Sequence, residues 1–341
     1  MHRNSFRQLP GEVTALPRSK RATAYKGTSP EAIRHHYDFL GDFYKLFLGP
    51  ELVYSYGMWQ PGDTLESAQL RKLDHHAEAA RATGAERVLD VGCGWGSLLH
   101  RLVDEHDVKH AVGLTMSPGQ AAWIRNQGWP HCEVRVENWF DHTPDAPYDA
   151  IIAIEALEHF AGSAMRRSQR IARYRLFFEH CHSWLRPGGR LSLQTNAWGD
   201  RSWLASLLLP AHERTSADAN GRPPKHLSPK SVYQDIHETV TNIREGLHAS
   251  RTVFPETFLP TLSELITAAL PLFTVQQIRN DPEDGVLTIQ NWLERAQANQ
   301  ARGAELIGEK AVTDIIREQR IGLKFLREQR YTVLRMVFEK A

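Results

Sequence analysis

Residues 88–96 read Val88-Leu89-Asp90-Val91-Gly92-Cys93-Gly94-Trp95-Gly96. An apolar run carrying one acid passes directly into a glycine-alternating turn, and a helical pattern starts at Ser97. Gly92 and Gly94 lack Cβ atoms, so the backbone there can pass close to a bound molecule. A dinucleotide turn spaces its glycines G-x-G-x-x-G and opens a helix N-terminus to pyrophosphate. Here the third glycine falls one residue early. The next strand pattern, Ala111-Val112-Gly113-Leu114-Thr115, ends without the acid that would hold a ribose in an NAD site. A ligand without phosphate, bearing an ammonium group for Asp90 to meet, fits better, and S-adenosylmethionine is such a ligand. A bare G-x-G-x-G can be only a tight structural turn. The strand before it, Asp90, and the alternation after it favour a nucleotide or adenosyl site.

Working outward, strands and helices alternate. Ser97 to His106 and Pro118 to Asn126 read as helices, and Cys132 to Val136 and Tyr148 to Ile154 as strands. Arg170 to Leu185 reads as a long helix ended by Arg186-Pro187-Gly188-Gly189, with a fifth strand from Gly189 to Thr195. Such alternation predicts a parallel sheet covered on both faces. Upstream, Ser29 to Leu48 and Thr64 to Ala82 carry helical periodicity. Downstream, the Pro-rich Arg214 to Lys230 stretch reads as a loop or lid. Two shorter helices, a strand at Phe273 to Arg279, and a long helical region from Leu287 to Gln329 follow. Tyr331 to Glu339 is expected as the last strand, at the sheet edge or paired antiparallel. The segments expected are a flexible arm at 1–27, a helical cap at 28–84, a cofactor-binding core at 85–200, a substrate lid at 201–270, and C-terminal helices and strands at 271–341 that complete the sheet.

The 341 residues carry 41 basic and 40 acidic side chains, for a net charge of +1, which gives no reason to expect nucleic acid as a partner. A hydrophobic fraction of 41% suits a folded enzyme rather than a disordered chain. Cys93, Cys132 and Cys181 form neither a disulfide framework nor a zinc signature, so no metal site is expected. No apolar run reaches the roughly 18 residues of a membrane span, and the basic, polar N-terminus lacks the apolar core of a secretory signal. A cytoplasmic location is the expectation. Trp203, Leu204 and Leu207 to Leu209 could make transient membrane contact or, twice as readily, cap the active site from within. Homo-oligomerisation stays open.

Further motifs carry a family resemblance. They are His36-Tyr37-Asp38-Phe39, Phe43 to Pro50, Tyr54-Ser55-Tyr56-Gly57, Leu89 to Gly96, Gly113 to Ser117 with Gln120, Trp139, Leu157-Glu158-His159-Phe160, and Phe254-Pro255 with Leu259-Pro260 and Glu264. Together they resemble the cyclopropane fatty acid and mycolic acid cyclopropane synthases, from about Ile33 to Ala341. The resemblance implies an α/β, class I S-adenosylmethionine-dependent methyltransferase of Rossmann-like fold. It also implies a mostly parallel seven-stranded sheet, N-terminal helices and a helical insertion over the active site. The same architecture occurs in plant alkaloid N-methyltransferases and bacterial C-methyltransferases of secondary metabolism. By the resemblance, Tyr37 and Ser55 contact the methionine end of the cofactor, Tyr54 joins the cofactor-binding set, and Gly92 and Gly94 pass beneath the cofactor. Thr115 and Gln120 hold the ribose, and Asn138 and Trp139 border the adenine. Trp139 and Tyr37 read equally well as packing aromatics.

The resemblance also shows departures. Cyclopropanating members use a bicarbonate ion as base. Of its cradle this chain keeps Glu158, while Tyr56 replaces a cysteine, Gln194 replaces a histidine, and a tyrosine is missing near Asp284-Gly285. Bicarbonate is therefore not expected. Glu158 is the expected general base, with His159 orienting it and Tyr56 near the substrate; the alternative is that Glu158 merely starts a helix. Glu155, Gln194, Asn196 and Trp203 are the expected substrate-pocket residues. The function expected is methyl transfer to carbon or nitrogen of a small, largely apolar or amphipathic metabolite in secondary metabolism. A lipid cyclopropane or methyl-branching enzyme is the alternative, and a non-catalytic protein of the same fold is a third reading that the intact glycine turn disfavours.

Overall fold

The computed structural model describes residues 41–162, 165–199 and 258–340. Tyr37, Trp203 and its apolar neighbours, the N-terminal arm and the Pro-rich stretch lie outside the described residues.

A seven-stranded sheet runs through the molecule in the order β3-β2-β1-β4-β5-β7-β6. Its strands are β1 (Val88–Val91), β2 (Ala111–Thr115), β3 (Cys132–Val136), β4 (Tyr148–Ile154), β5 (Leu185–Trp198), β6 (Phe273–Asn280) and β7 (Tyr331–Lys340). The first five strands pair in parallel, whereas β7 is antiparallel to both β5 and β6. The helices are α1 (Gly41–Leu48), α2 (Leu65–Ala79), α3 (Ser97–Asp104), α4 (Pro118–Gln127), α5 (Arg167–Trp184), α6 (Leu262–Ala269), α7 (Pro282–Ala298), α8 (Gln300–Ile307) and α9 (Glu309–Arg327).

The period of two along a strand sorts side chains to the two faces. Leu89 and Val91 of β1 join one buried cluster, with Phe177, Phe178 and Trp184 of α5 and Leu265 of α6. Val88 joins the other, with Leu73 and Ala77 of α2, Leu98, Leu99 and Leu102 of α3, and Ile124 of α4. A third cluster packs Phe43, Tyr44 and Phe47 of α1 against Trp292, Val312 and Ile316 of α7 and α9. Local caps fix helix starts. Thr64 accepts from the Ser67 amide in a reciprocal capping box, and Ser117 caps α4 ahead of Pro118.

Two sequence expectations are corrected, and one of two alternatives for the last strand is chosen. The fifth strand begins at Leu185, not Gly189: Tyr148 pairs with Leu185 and Ala150 with Arg190, so residues 186–189 loop out of a continuing ladder. The Pro-Gly-Gly run that reads as a helix stop is a bulge within the strand. The final strand is paired antiparallel, one of the two places expected for it, and β6 outside it rules out the edge. The single long C-terminal helical region starts earlier, at Pro282, and is three helices, broken at Asn299 and at Gly308, whose φ is +87°. Among the described residues, no helix is long and apolar enough to cross a membrane.

Strand order reverses between β1 and β4: the chain leaves β1 toward β2 and β3, then returns to β4 and β5 on the other side. A crevice therefore opens at the C-terminal ends of these strands, where open α/β sheets bind ligands.

Candidate active site

A cavity enclosing about 1090 Å³ of empty space, its mouth included, lies in this crevice. The turn after β1 forms its floor. The Gly92 and Cys93 amides both donate to the Leu114 carbonyl, at 3.0 and 2.9 Å, which pins the turn to β2. Gly92 and Gly94 have φ of +86° and +53°. A Cβ on Gly92 would lie 2.8 Å from the Ala156 Cβ, while a Cβ on Gly94 would meet nothing within 4 Å and would stand in the cavity.

Asp90 lines the cavity and takes no hydrogen bond from the described residues. Burial pushes its carboxyl up to about 7, with the Lys72 ammonium opposing. Lys72, which sequence reading missed, is wholly buried in α2 and donates to Ser55 Oγ at 2.6 Å. Burial lowers it to about 7, against the charges of Glu155 and Asp90. A buried acid without a donor, beside a floor that lacks side chains, fits the ammonium of S-adenosylmethionine. Tyr54 and Ser55 border the same space. At the far wall, Thr115 Oγ1 donates to Gln120 Oε1 at 2.7 Å, which turns the Gln120 amide nitrogen outward as a donor. Asn138 Oδ1 accepts from the Phe140 amide at 2.9 Å. Trp139 is both cavity wall and core, packed edge-on against Phe177 and tilted against Phe160.

The other end of the cavity is polar. Glu155 follows β4 at φ +52°, a left-handed backbone that costs a non-glycine residue about 1–3 kcal/mol. Its Oε1 accepts from the Tyr56 amide at 2.9 Å and from Gln194 Nε2 at 2.7 Å. Gln194 is fully buried. Its Nε2 also donates to the Tyr56 carbonyl at 2.9 Å, and its Oε1 accepts from Arg335 Nε at 2.8 Å. Arg335, equally buried, continues to the Gly57 carbonyl at 2.7 Å, Asp281 at 2.6 Å and Asp284 at 2.7 Å.

Sequence reading brought some of its expected residues together here and placed others elsewhere. Glu155 and His159 face the cavity, whereas Glu158, Tyr56, Gln194 and Asn196 do not line it. Glu158 sits in a single 3₁₀ turn, Leu157–His159, and its Oε1 accepts from the Asn196 amide. Its Oε2 and Asn196 Oδ1 are buried without a hydrogen-bond partner among the described residues. Burial, then the charge of Glu155, raises Glu158 to about 8. Burial lowers His159 to about 4, so its ring is neutral at pH 7. Tyr56 packs its ring 5.9 Å from that of Trp292, and its hydroxyl pairs with that of Tyr331, which donates to the Gly322 carbonyl at 3.0 Å. The Tyr56 hydroxyl is thus engaged with β7 instead of facing the cavity. Arg335 and Tyr331 gave no signal in the sequence beyond being polar positions in an alternating strand.

The chain matches the profile of a family described as mycolic acid cyclopropane synthetase over residues 25–317. Cyclopropane mycolic acid synthase 2 of Mycobacterium bovis is 28% identical over 309 residues, covering 89% of this chain and 91% of that protein. Cyclopropane mycolic acid synthase 3 of Mycobacterium tuberculosis is 34% identical over 169 residues, 48% of this chain and 55% of that protein. Among solved structures, the cyclopropane synthase MmaA2 from Mycobacterium tuberculosis superimposes with a TM-score of 0.75 at 24% identity, covering 92% of this chain and 99% of that one. The mycolic acid cyclopropane synthase CmaA1, complexed with SAH and CTAB, superimposes with a TM-score of 0.74 at 25% identity and the same coverage.

Proposed function

Because this chain belongs to the mycolic acid cyclopropane synthetase family and is an S-adenosylmethionine-dependent methyltransferase, we propose that it methylates carbon or nitrogen of a small, largely apolar metabolite without a bound bicarbonate ion. When bound, the cofactor supplies a sulfonium-activated methyl group. Asp90 is suited to meet its ammonium group, Gly92 and Gly94 to underlie it, Thr115 and Gln120 to hold the ribose, and Asn138 and Trp139 to border the adenine. Tyr37, Tyr54 and Ser55 complete the methionine end. The carboxyls of Glu155 and Glu158, with His159 beside them, manage the proton at the reacting end. Segment 201–270 is assigned the substrate-lid role and segment 28–84 the helical-cap role. The enzyme acts in the cytoplasm, in secondary metabolism.

The observation that carries the reading is the state of Gln194. A ligand for an additional anion needs a donor to spare, because a buried ion requires several donors. The Gln194 amide hydrogens go to Glu155 and the Tyr56 carbonyl, and its oxygen to Arg335. That position has no donor left for bicarbonate. An acceptor that is already nucleophilic, such as an amine, phenol, enol or electron-rich ring, would need none.

One observation favours a lipid as the alternative acceptor. The related synthase was solved with CTAB, a long-chain detergent, and the cavity here is walled partly by Leu52, Val53 and Leu98. The test is product analysis with methyl-¹³C-labelled cofactor, offered a small amine, a phenol and vesicles of an unsaturated phospholipid. The expected product carries one added CH₃ on carbon or nitrogen of a small acceptor. A labelled cyclopropane carbon in the phospholipid would reject the reading.

A further inference from the structure

We infer that Glu155 is the proton acceptor of the methyl-transfer reaction, its carboxylate seated in an anion slot that the Tyr56 amide and the Gln194 side chain build at the edge of the cofactor cavity. The inference rests on the methyl-transfer reading above and adds a catalytic residue to it.

Glu155 occupies a backbone position that favours glycine, with φ of +52°. A larger residue persists at such a position only when its surroundings over-determine it. Three bonds do so here. The Glu155 amide donates to the Gln194 carbonyl at 2.7 Å, and Oε1 receives the Tyr56 amide at 2.9 Å and Gln194 Nε2 at 2.7 Å. The orientation of the Gln194 amide is itself fixed. Arg335 can only donate, so its contact at 2.8 Å requires the Gln194 oxygen there and turns the NH₂ group onto Glu155. Both donors converge on one carboxylate oxygen. No hydrogen bond from the described residues reaches the other oxygen, and the residue lines the cavity beside Asp90 and His159.

Glu158 also takes a donor, the Asn196 amide on Oε1, but the charge it faces is the Glu155 carboxylate, whereas Glu155 faces the Lys72 and Arg335 cations. Glu158 lies off the cavity, and one of its oxygens is buried with no donor among the described residues. Two neighbouring carboxyls in a poorly solvated site do not both ionise. The Tyr56 and Gln194 donors, together with the Lys72 and Arg335 cations, favour the charge on Glu155 and leave the proton on Glu158. The basic form at neutral pH then belongs to the carboxylate that faces the cavity.

The step balances without any further reactant. The electron pair of the acceptor forms the bond to the methyl carbon. The carbon–sulfur bond breaks and its pair stays on sulfur, so the positive charge passes to the methylated acceptor. That charge is discharged when the N–H or C–H proton of the acceptor moves to the outward oxygen of Glu155, giving a neutral carboxylic acid. The proton is lost to water once product leaves.

Removal of the side chain should leave the slot open and the backbone relaxed. Glu155→Gly suits a left-handed φ, so its thermal midpoint should be no lower than that of wild type. With S-adenosylhomocysteine bound, ¹³C-formate should bind Glu155→Gly in calorimetry and NMR. It should not bind wild type, where the slot is filled, nor Glu155→Gly/Gln194→Leu, where a donor is gone. Turnover of the acceptor that wild type methylates should fall by about 10²-fold or more in Glu155→Gly. Formate should restore at least tenfold of that loss saturably, and none of it in Glu155→Gln, whose amide blocks the slot. Failure of Glu155→Gly to bind formate overturns the inference, as does wild-type turnover in that variant or a loss that bound formate leaves unchanged. Failure of the underlying reading would appear instead in the product made by wild type, before any variant is compared.

Discussion

At the scale of single residues, the site is a set of ionisable groups whose burial decides their charge. Glu158 is the clearest case. Burial and the Glu155 carboxylate hold its proton to about pH 8, so the folded chain keeps a proton that the unfolded chain has released near its ordinary value of 4.5. Between those limits the native state binds more protons than the unfolded state, so this group's contribution to stability is complete at low pH and is lost as pH rises through about 8. The slope can reach about 1.4 kcal/mol per pH unit. Urea unfolding at pH 5.5, 6.5 and 7.5 should show that decline in wild type and a flatter line in Glu158→Gln; parallel lines would mean that Glu158 is ionised throughout. Glu155, Glu158 and His159 were legible as candidates because a Glu-x-x-Glu-His run after an apolar strand sits where sheets of this kind bind ligands. Which carboxyl faces the cavity was not legible. That depends on the orientation of the Gln194 amide, which is set by Arg335, 141 positions along the chain from it.

Elements position these residues, and the β5–β7 pair carries most of that work. Gln194 on β5 lies directly across from Arg335 on β7 in the antiparallel register. The Arg335 guanidinium then reaches Asp281 and Asp284 where α7 begins and the Gly57 carbonyl in the segment before α2. Burial pushes Asp281 upward, but hydrogen bonds from Arg279 and Arg335 hold it below its ordinary value. Replacing the cation would leave two partly buried carboxylates facing each other. Arg335→Met should therefore lose about 3–5 kcal/mol of unfolding free energy at pH 7, and the loss should narrow at acid pH as Asp281, which Arg279 and Arg335 hold below its ordinary value, takes up a proton. A loss below about 1 kcal/mol in urea unfolding would show that the network does not hold the elements together. The parallel strands and their helices were legible because each carries a short apolar run or a helical period bounded by glycine, proline or a cap. The bulge at residues 186–189 was not, because Pro-Gly-Gly after a helix signals a stop wherever the neighbouring strand does not rescue the ladder. The interior place of β7 was hidden as well, since a strand's partners are set by long-range pairing rather than by its own pattern.

For the whole molecule, the order β3-β2-β1-β4-β5-β7-β6 puts the glycine turn, Asp90 and Thr115 on one side of the crevice and Glu155 on the other. On the proposed reading this fold, shared with enzymes of the cyclopropane synthase family, supplies its own carboxylate where an external ion would otherwise serve as base. Among the described residues, the Tyr56 amide and both amide hydrogens of Gln194 are already committed within the chain, and Arg335 holds the Gln194 oxygen. The most direct measurement is the steady-state rate of methyl transfer by wild type in buffer stripped of carbon dioxide, followed by titration with bicarbonate at constant pH and ionic strength. Full activity in the stripped buffer and a flat response across the titration are expected. A rate that falls away in stripped buffer and is restored saturably by bicarbonate would contradict the proposed reading.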